Sequence, residues 1–387
     1  MSQPKNNHPI VLSIGIMAWN EAHSICTTLE SLFRQSVFER LAGHHQRCEI
    51  VVVANACKDA TAAVTRAFFD RMEREHTWAG SFVTKVIDIP EPGKANAWNR
   101  FIHEFSAVET RYICSMDADI VFHHRETVYN LMAALERWPQ ASASTGRQCK
   151  DLIFKENKTL RERISLATTS MNGGEAGKIC GQLYCLRAAV ARNLFIPRDL
   201  SATEDGFIKA MVCTDFLTRE SDAGRIVLAP DAAHIFEAYV SPREVLNNQK
   251  RQMMGQTIVH VLIEYLKTLP WKDRANLADT LKRHEARDPD WLRKLIAAHL
   301  QTRPRFWQLF PGLLTFRFKR LAAARGLRKI KQVPAACAGF AVTMVACSRA
   351  HEALCKGMVN YWPKANRQTI LTVPQAVNDA TTTPASR

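Results

Sequence analysis

Two short runs near the start of the chain, Pro9-Ile-Val-Leu-Ser-Ile-Gly-Ile16 and Glu49-Ile-Val-Val-Val-Ala54, are almost wholly apolar. They lack the polar alternation of a half-exposed strand and read as strands buried on both faces, as in parallel sheets covered by helices. Helical spacing follows each one. Apolar residues fall at Ile25, Leu29, Leu32 and Phe33 after the first, and Val64, Phe68 and Phe69 share one side of Thr61 to Met72 after the second. Phe82 to Ile89 reads as a third strand, Ala95 to Phe105 as a helix, and Arg111 to Met116 as a strand that ends in acids. The alternation continues to about Tyr239 and predicts an α/β domain with a mostly parallel sheet flanked by helices. Such sheets bind ligands where loops leave the carboxyl ends of the strands. Asn20, Glu21, Asn55, Asp59, Lys94, Asp117 and Asp119 all follow strands in this way, which makes them candidates for one site.

Beyond Pro242 the character changes, and three segments are expected: a catalytic domain over 1–240, a helical, basic region over 241–372, and a disordered tail over 373–387. Arg243 to Leu266 reads as one long helix. Residues 301–332 hold nine Lys and Arg and no acid, interleaved with Phe306, Trp307, Phe310, Phe316 and Phe318. The whole chain carries 52 Lys and Arg against 37 Asp and Glu, a formal net charge of +15. The basic segment reads as a surface for anionic lipid, because cations near a membrane contribute about 1 kcal/mol each and aromatic rings settle at headgroup level. A solvated basic helix is the plainer reading. Nucleic acid is disfavoured, since no RNA module is visible. The longest uncharged run, Gln332 to Ser348, has 17 residues. That is short of the roughly 20 a membrane span needs, which excludes a multi-pass protein and leaves room for one short hydrophobic helix. The eleven cysteines include no Cys-x-x-Cys pair, and Met1 to Pro9 is polar, with no basic start leading into an apolar signal-peptide core. A cytoplasmic, reducing location is therefore expected, peripheral on the inner face of the cell membrane.

Four motifs carry chemistry. Asp117-Ala-Asp119 closes a strand, and alternation places both carboxylates on one side. The pair is able to hold Mg²⁺ or Mn²⁺ against a diphosphate, since hard cations take oxygen ligands; a solvated loop or a helix cap is the alternative. Ser201-Ala-Thr-Glu-Asp-Gly206 opens a helix that Thr203 is expected to cap. Its acids are ordinary dipole complements, or Asp205 is a general base for an acceptor hydroxyl. Lys94, in Pro92-Gly-Lys-Ala-Asn-Ala-Trp-Asn99, sits where a helix N-terminus suits an anion. Arg251 is a further cation suited to phosphate, or simply part of a basic helix face.

In order and spacing, from about Ile10 to Gly255, these pieces resemble the family 2 glycosyltransferases of the GT-A (Rossmann-like) fold. Ile14-Gly-Ile-Met-Ala-Trp-Asn-Glu-Ala22 is similar to the family's opening strand and aromatic-Asn-Glu turn. Val51 to Thr61 is similar to the second strand and its Asp loop, Pro92 to Asn99 to the Gly-Lys-Ala segment, and Asp117-Ala-Asp119 to the Asp-x-Asp motif. Cys180-Gly-Gln-Leu-Tyr-Cys-Leu-Arg187 resembles the glycine-led acceptor-side strand, and Thr203-Glu-Asp205 the motif carrying the base. The resemblance implies a nucleotide-diphospho-sugar donor, with UDP as its nucleotide, and inversion without a covalent intermediate. Ala18, Asn20, Glu21, Asn55, Asp59 and Lys94 would line the nucleotide pocket, and Asp117 would face ribose and phosphate. Asp119, with Asp117, would hold the metal. Gly181, Gln182 and Glu204 would stand on the acceptor side, Arg251 at the diphosphate, and Asp205 would be the base.

Two positions depart from the pattern. Ala54-Asn55 replaces the usual pair that opens the second loop with a carboxylate. Of the Gln-x-x-Arg-Trp signature of polymerising members only Arg251 survives, with Asn248 and Gln252 at the flanks. Loss of that Trp favours transfer of one sugar, to a lipid-linked or membrane-proximal glycan acceptor, over processive polymerisation. Two other classes compete. A nucleotidyltransferase would carry a Gly-rich basic loop where Met17-Ala-Trp-Asn-Glu21 stands, and a non-catalytic scaffold would have lost Asp119 and Asp205.

Overall fold

The computed structural model describes residues 8–169, 177–200, 202–315, 322 and 327–359. These residues group into two compact units. One comprises the chain to Phe195 together with Ile208–Ala238, and the other Ile196–Phe207 together with the chain from Tyr239 onward.

The first unit follows the alternation read from the sequence. In order it holds β1 (Ile10–Ala18), α1 (Ile25–Phe33), α2 (Val37–Gly43), β2 (Arg47–Asn55), α3 (Thr61–Glu75), β3 (Phe82–Ile89) and α4 (Lys94–Arg100), which runs on into a π-helical turn at Phe101–Phe105. Then come β4 (Tyr112–Asp117), β5 (Val121–Phe122), α5 (Thr127–Arg137), β6 (Ala143–Lys150), α6 (Leu160–Thr169), β7 (Leu183–Arg187) and α7 (Ala188–Arg192). A helix at Glu204–Cys213, α8, of which only Ile208–Cys213 belong to this unit, precedes β8 (Ile226–Phe236). The strands form one sheet in the order β3-β2-β1-β4-β7-β6-β8-β5. β3, β2, β1 and β4 are parallel, β7 runs antiparallel to both β4 and β6, β6 is parallel to β8, and β5 is antiparallel to β8. Parallel pairings thus prevail, and the antiparallel β7 between β4 and β6 is a feature the strand-helix rhythm does not announce.

β1 and β2 are buried along almost their whole length, as their Ile and Val runs require. One buried carboxylate interrupts them. Glu49 on β2 accepts from Ser13 Oγ and from the Ala107 backbone N–H, and meets Lys85 Nζ at 2.9 Å. A buried charge is tolerable when so partnered. Gly15 on β1 lies beneath the turn after α4: a Cβ there would stand 2.3 Å from the Phe101 ring. The missing side chain lets α4 and its π turn rest on the sheet, which carries Lys94 to the carboxyl end of the strands.

The second unit is helical: α9 (Pro242–Thr268), α10 (Trp271–Ala275), α11 (Leu277–Arg287), α12 (Trp291–Thr302) and α13 (Leu327–Cys355). α9 begins at a capping box, in which Ser241 and Glu244 satisfy each other's backbone N–H groups and Pro242 takes the first helical position. It packs against α12 and α13, and Met253, Met254, Ile258, Val261 and Leu262 are buried along it. Asp199, buried, is paired with Arg293 on α12 at 2.9 Å. Gly255 lets α9 approach the segment before α8 closely: a Cβ would stand 2.4 Å from Thr203 Oγ1 and 2.6 Å from the Ala202 carbonyl oxygen. The run Gln332 to Ser348 lies within α13, and among the described residues no helix is long and apolar enough to cross a membrane. Of the basic segment, Phe316, Arg317, Phe318, Lys319, Arg320 and Arg325 lie outside the described residues, as do Ser201 and the tail 373–387.

Candidate active site

At the carboxyl ends of β1 and β2 two loops clasp each other. β1 ends at Ala18, fully buried and in register with Ala54. Asn20 follows in the left-handed region at φ 55°, a conformation Asn tolerates better than most residues. Its Oδ1 accepts from the Lys58 backbone N–H at 2.6 Å, and its own N–H points to Cys57 Sγ at 3.3 Å. The Glu21 N–H donates to Thr61 Oγ1 at 2.8 Å. Asp59 binds both loops: one carboxylate oxygen accepts from the Ala22 N–H at 3.1 Å, the other from the Thr61 N–H at 3.1 Å and from the Thr61 hydroxyl. Asn55, the last residue of β2, is buried, and its Oδ1 has no hydrogen-bond partner in the protein among the described residues. An orphan acceptor of this kind asks for a donor from outside the chain.

A second cluster gathers at the end of β4. Gly93 takes φ 134°, open only to glycine, and sets Lys94 at the first position of α4. Lys94 Nζ meets Asp117 Oδ1 at 2.7 Å, with both side chains about one-fifth exposed. The Asp117 N–H donates to the Gln182 carbonyl at 2.9 Å, which ties the turn before β7 to the end of β4. Asp117 and Asp119 are each half-buried around the buried Ala118; β4 ends at Asp117, so Asp119 stands in the turn beyond the strand rather than closing it. Gly181 and Gln182 are half-buried in that turn, and Gln182 Oε1 lies 3.2 Å from His234 Nε2 on β8. Burial lowers the His234 pKa to about 3, so the imidazole is neutral.

Glu204, Asp205 and Arg251 belong to the second unit. Glu204 is buried, and Asp205, half-buried in the first turn of α8, accepts from the Gly206 N–H at 2.9 Å. Thr203 does not cap α8 through its side chain. At φ 59° its hydroxyl turns back to the Ala202 carbonyl at 2.6 Å, because α9 crowds that face at Gly255. Arg251, one helical turn before Gly255, reaches Asn248 Oδ1 at 3.3 Å.

The structure therefore gathers Asn20, Glu21 and Asp59 in one cluster, and Lys94, Asp117 and Gln182 in another. Cys57, Thr61 and His234 take part without having been read from the sequence. Thr61 lies in the quoted loop motif, but His234 sits in a strand with no polar pattern around it. No three His, Cys, Asp or Glu side chains gather as an ion-holding set among the described residues. The Asp117 and Asp119 carboxylates are hard oxygen donors and fit a divalent cation whose other ligands come from a diphosphate.

Residues 13–190 match the family model "Glycosyl transferase family 2". The matched segment contains the ends of β1, β2 and β4 with both clusters. Over these residues the chain is similar to glycosyl transferase family 2. The chain shares its fold with the mannosyltransferase PcManGT of Pyrobaculum calidifontis, solved with GDP-Man and Mn²⁺. The two are 17% identical at a TM-score of 0.50, over 92% of this chain and 89% of that one. TarS 1-349 of S. aureus aligns at 15% identity and TM-score 0.44, over 90% and 92% of the two chains. Glucosyl-3-phosphoglycerate synthase of Mycobacterium tuberculosis, with Mn²⁺, UDP and phosphoglyceric acid, aligns at 13% and 0.40, over 67% and 80%. No curated protein sequence matches this chain significantly. The sheet order, four parallel strands followed by an antiparallel β7, is that of the GT-A fold.

Proposed function

We propose that this protein moves a single sugar, with inversion, from a nucleotide-diphosphate donor to a hydroxyl of a lipid-linked or membrane-proximal glycan acceptor. The observation that carries the reading is the Lys94–Asp117 pair beside Gln182, at the carboxyl end of β4, where the sequence resemblance implies ribose and phosphate. UDP is the expected nucleotide. Asn55, with an unpartnered buried acceptor, and the clasped Asn20–Asp59 loops would receive the nucleoside. Asp119, with Asp117, would hold Mg²⁺ or Mn²⁺. Bound there, the cation would supply Lewis-acid stabilisation to the departing diphosphate.

The remaining work falls to side chains. Lys94 carries fixed positive charge for the diphosphate as it leaves, a role the resemblance also implies for Arg251. Asp205 takes the proton of the acceptor hydroxyl as its oxygen attacks in line. Holding donor and acceptor together lowers the barrier further by removing translational freedom. The absence of the polymerase Trp beside Arg251 supports one transfer per encounter. Arg303, Arg305 and Trp307 are exposed in a loop after α12, with the Arg305 guanidinium 5.5 Å from the Trp307 ring centroid. That cationic, aromatic surface supports a peripheral place on an anionic bilayer.

A thermal-shift panel of UDP- and GDP-sugars, with and without Mn²⁺, tests the donor assignment. Native-state binding raises the melting temperature with the logarithm of ligand over Kd. A rise that needs both nucleotide sugar and Mn²⁺ is expected, and no rise with any member of the panel would refute the donor class.

A further inference from the structure

His234 stands within β8, wholly buried, in register with Phe122 on one neighbouring strand and Gln148 on the other. Its Nε2 lies 3.2 Å from Gln182 Oε1 and 3.8 Å from Cys180 Sγ. The Cys180 thiol in turn donates to Gln148 Oε1 at 3.6 Å. A carboxamide oxygen can only accept, so Nε2 carries the ring proton and donates to Gln182. Nδ1 is then bare, and it is buried with no hydrogen-bond partner among the described residues. An apolar side chain would fill this place without that desolvation penalty. The imidazole is accounted for by what Nε2 does. Because burial keeps the ring neutral at physiological pH, it offers a fixed N–H and no acid-base chemistry.

The fixed N–H acts on Gln182. With its oxygen held by His234, the Gln182 carboxamide plane is set and its NH₂ is directed away from the imidazole. That NH₂ has no protein partner among the described residues, and the side chain is only half-buried. The Gln182 backbone carbonyl accepts from the Asp117 N–H, which places the residue beside the carboxylate that Lys94 holds. On the nucleotide-sugar reading the donor's diphosphate would lie against Lys94 and Asp117, which would bring its sugar beside Gln182, a residue that the resemblance alone places on the acceptor side. We propose that Gln182 donates an amide N–H to a hydroxyl of the transferred sugar, and that His234 is the positioning residue that aims it. The proposal rests on the nucleotide-sugar reading above and deepens it: a site built to bond a hydroxyl discriminates against donors that lack it or misplace it.

The test is the Kd of UDP, UDP-glucose, UDP-N-acetylglucosamine, GDP and GDP-mannose, each with Mn²⁺, measured by calorimetry on the full chain. Wild type is expected to hold one nucleotide sugar more tightly than the matching nucleotide. Gln182→Ala and His234→Phe each lower that preference about tenfold, as loss of one hydrogen bond implies, with the nucleotide Kd unchanged. The double variant falls no further than either single one. His234→Gln, whose amide nitrogen can stand where Nε2–H stood, restores the preference. A merely structural His234 would shift the melting temperature without touching this ratio. Should His234→Phe not fold, Gln182→Ala and His234→Gln carry the test. An unaltered ratio in Gln182→Ala, or a wild type with no preference for any of the three sugars, overturns the proposal and leaves nucleotide binding standing. A wild type that binds none of the five ligands overturns the donor reading as well.

Discussion

The ammonium of Lys94, first residue of α4, lies 2.7 Å from Asp117 Oδ1 at the end of β4. Gly93 and Gly15 make this pairing possible, one through its backbone conformation and the other by letting α4 rest on the sheet. The pair gives a half-buried carboxylate a compensating charge, and offers a cation to any phosphate that enters. Lys94→Met is predicted to raise the Kd for UDP in the presence of Mn²⁺ about tenfold or more, since hydrogen bonds to charged groups are worth about 1.5–3 kcal/mol. Calorimetry reads this directly, and an unchanged Kd would remove Lys94 from the site.

Gly255 sets how closely α9 approaches the segment that carries Asp205. A methyl group there meets backbone at 2.6 Å as well as the Thr203 hydroxyl. Overpacking of this kind costs about 1–3 kcal/mol. Gly255→Ala is predicted to lower the melting temperature and to slow nucleotide release from a nucleotide sugar, with the nucleotide Kd retained. Normal turnover and stability in this variant would show that the approach has no bearing on the base.

The buried imidazole of His234 makes stability depend on pH. Its folded pKa, about 3, lies below the ordinary value of 6.5. The unfolded chain takes up the proton as pH falls below 6.5, while the folded chain does not until about 3. The contribution is therefore whole above pH 6.5 and is lost across that window, with a slope of up to about 1.4 kcal/mol per pH unit. Urea unfolding at pH 6.5 and 4.5 is predicted to show a smaller acid loss in His234→Gln than in wild type. His123, His260, His284 and His299 are also lowered by burial, but they are common to both proteins and cancel in the difference. Equal losses would mean that His234 is protonated in the folded protein.

The parallel half of the sheet was legible because its strands are buried on both faces, so burial wrote itself into unbroken Ile and Val runs at β1 and β2. The loop motifs after those strands were legible for a related reason: Asn20 and Asp59 occupy turns, where a polar residue has no packing role to disguise it, and Lys94 opens a helix after a glycine. The antiparallel β7 was not legible, since strand direction is decided by partners far away in the chain. Nor was the outcome at Thr203, whose hydroxyl fits the pattern of a cap and loses that role to the approach of α9. His234 left no trace because a lone His in an Ala-Ala-His-Ile-Phe strand has the composition of ordinary core. The role of Asp59 as a clasp, with both oxygens spent on backbone and Thr61, follows from two loops meeting, which one-dimensional spacing cannot record.

The exposed loop of Arg303, Arg305 and Trp307 leads to a prediction about location. Sedimentation at low salt is expected to carry the full chain down with phosphatidylglycerol vesicles and not with phosphatidylcholine vesicles. Combined Arg303→Glu, Arg305→Glu and Trp307→Ala substitution should release it, because these cations and the ring supply attraction and anchoring together. Failure of the wild type to bind anionic vesicles at low salt would end the membrane assignment.

The proposed role of Asp205 is to remove a proton from the acceptor as a sugar is transferred from a nucleotide donor. Nucleoside diphosphate release from the donor identified by thermal shift is measured with Mn²⁺ for wild type and Asp205→Asn, alongside the donor Kd of each. A positioned base contributes about 10²- to 10⁴-fold, so the variant is predicted to release nucleotide at least a hundredfold more slowly while binding the donor as tightly. Release at the wild-type rate from Asp205→Asn would contradict the account.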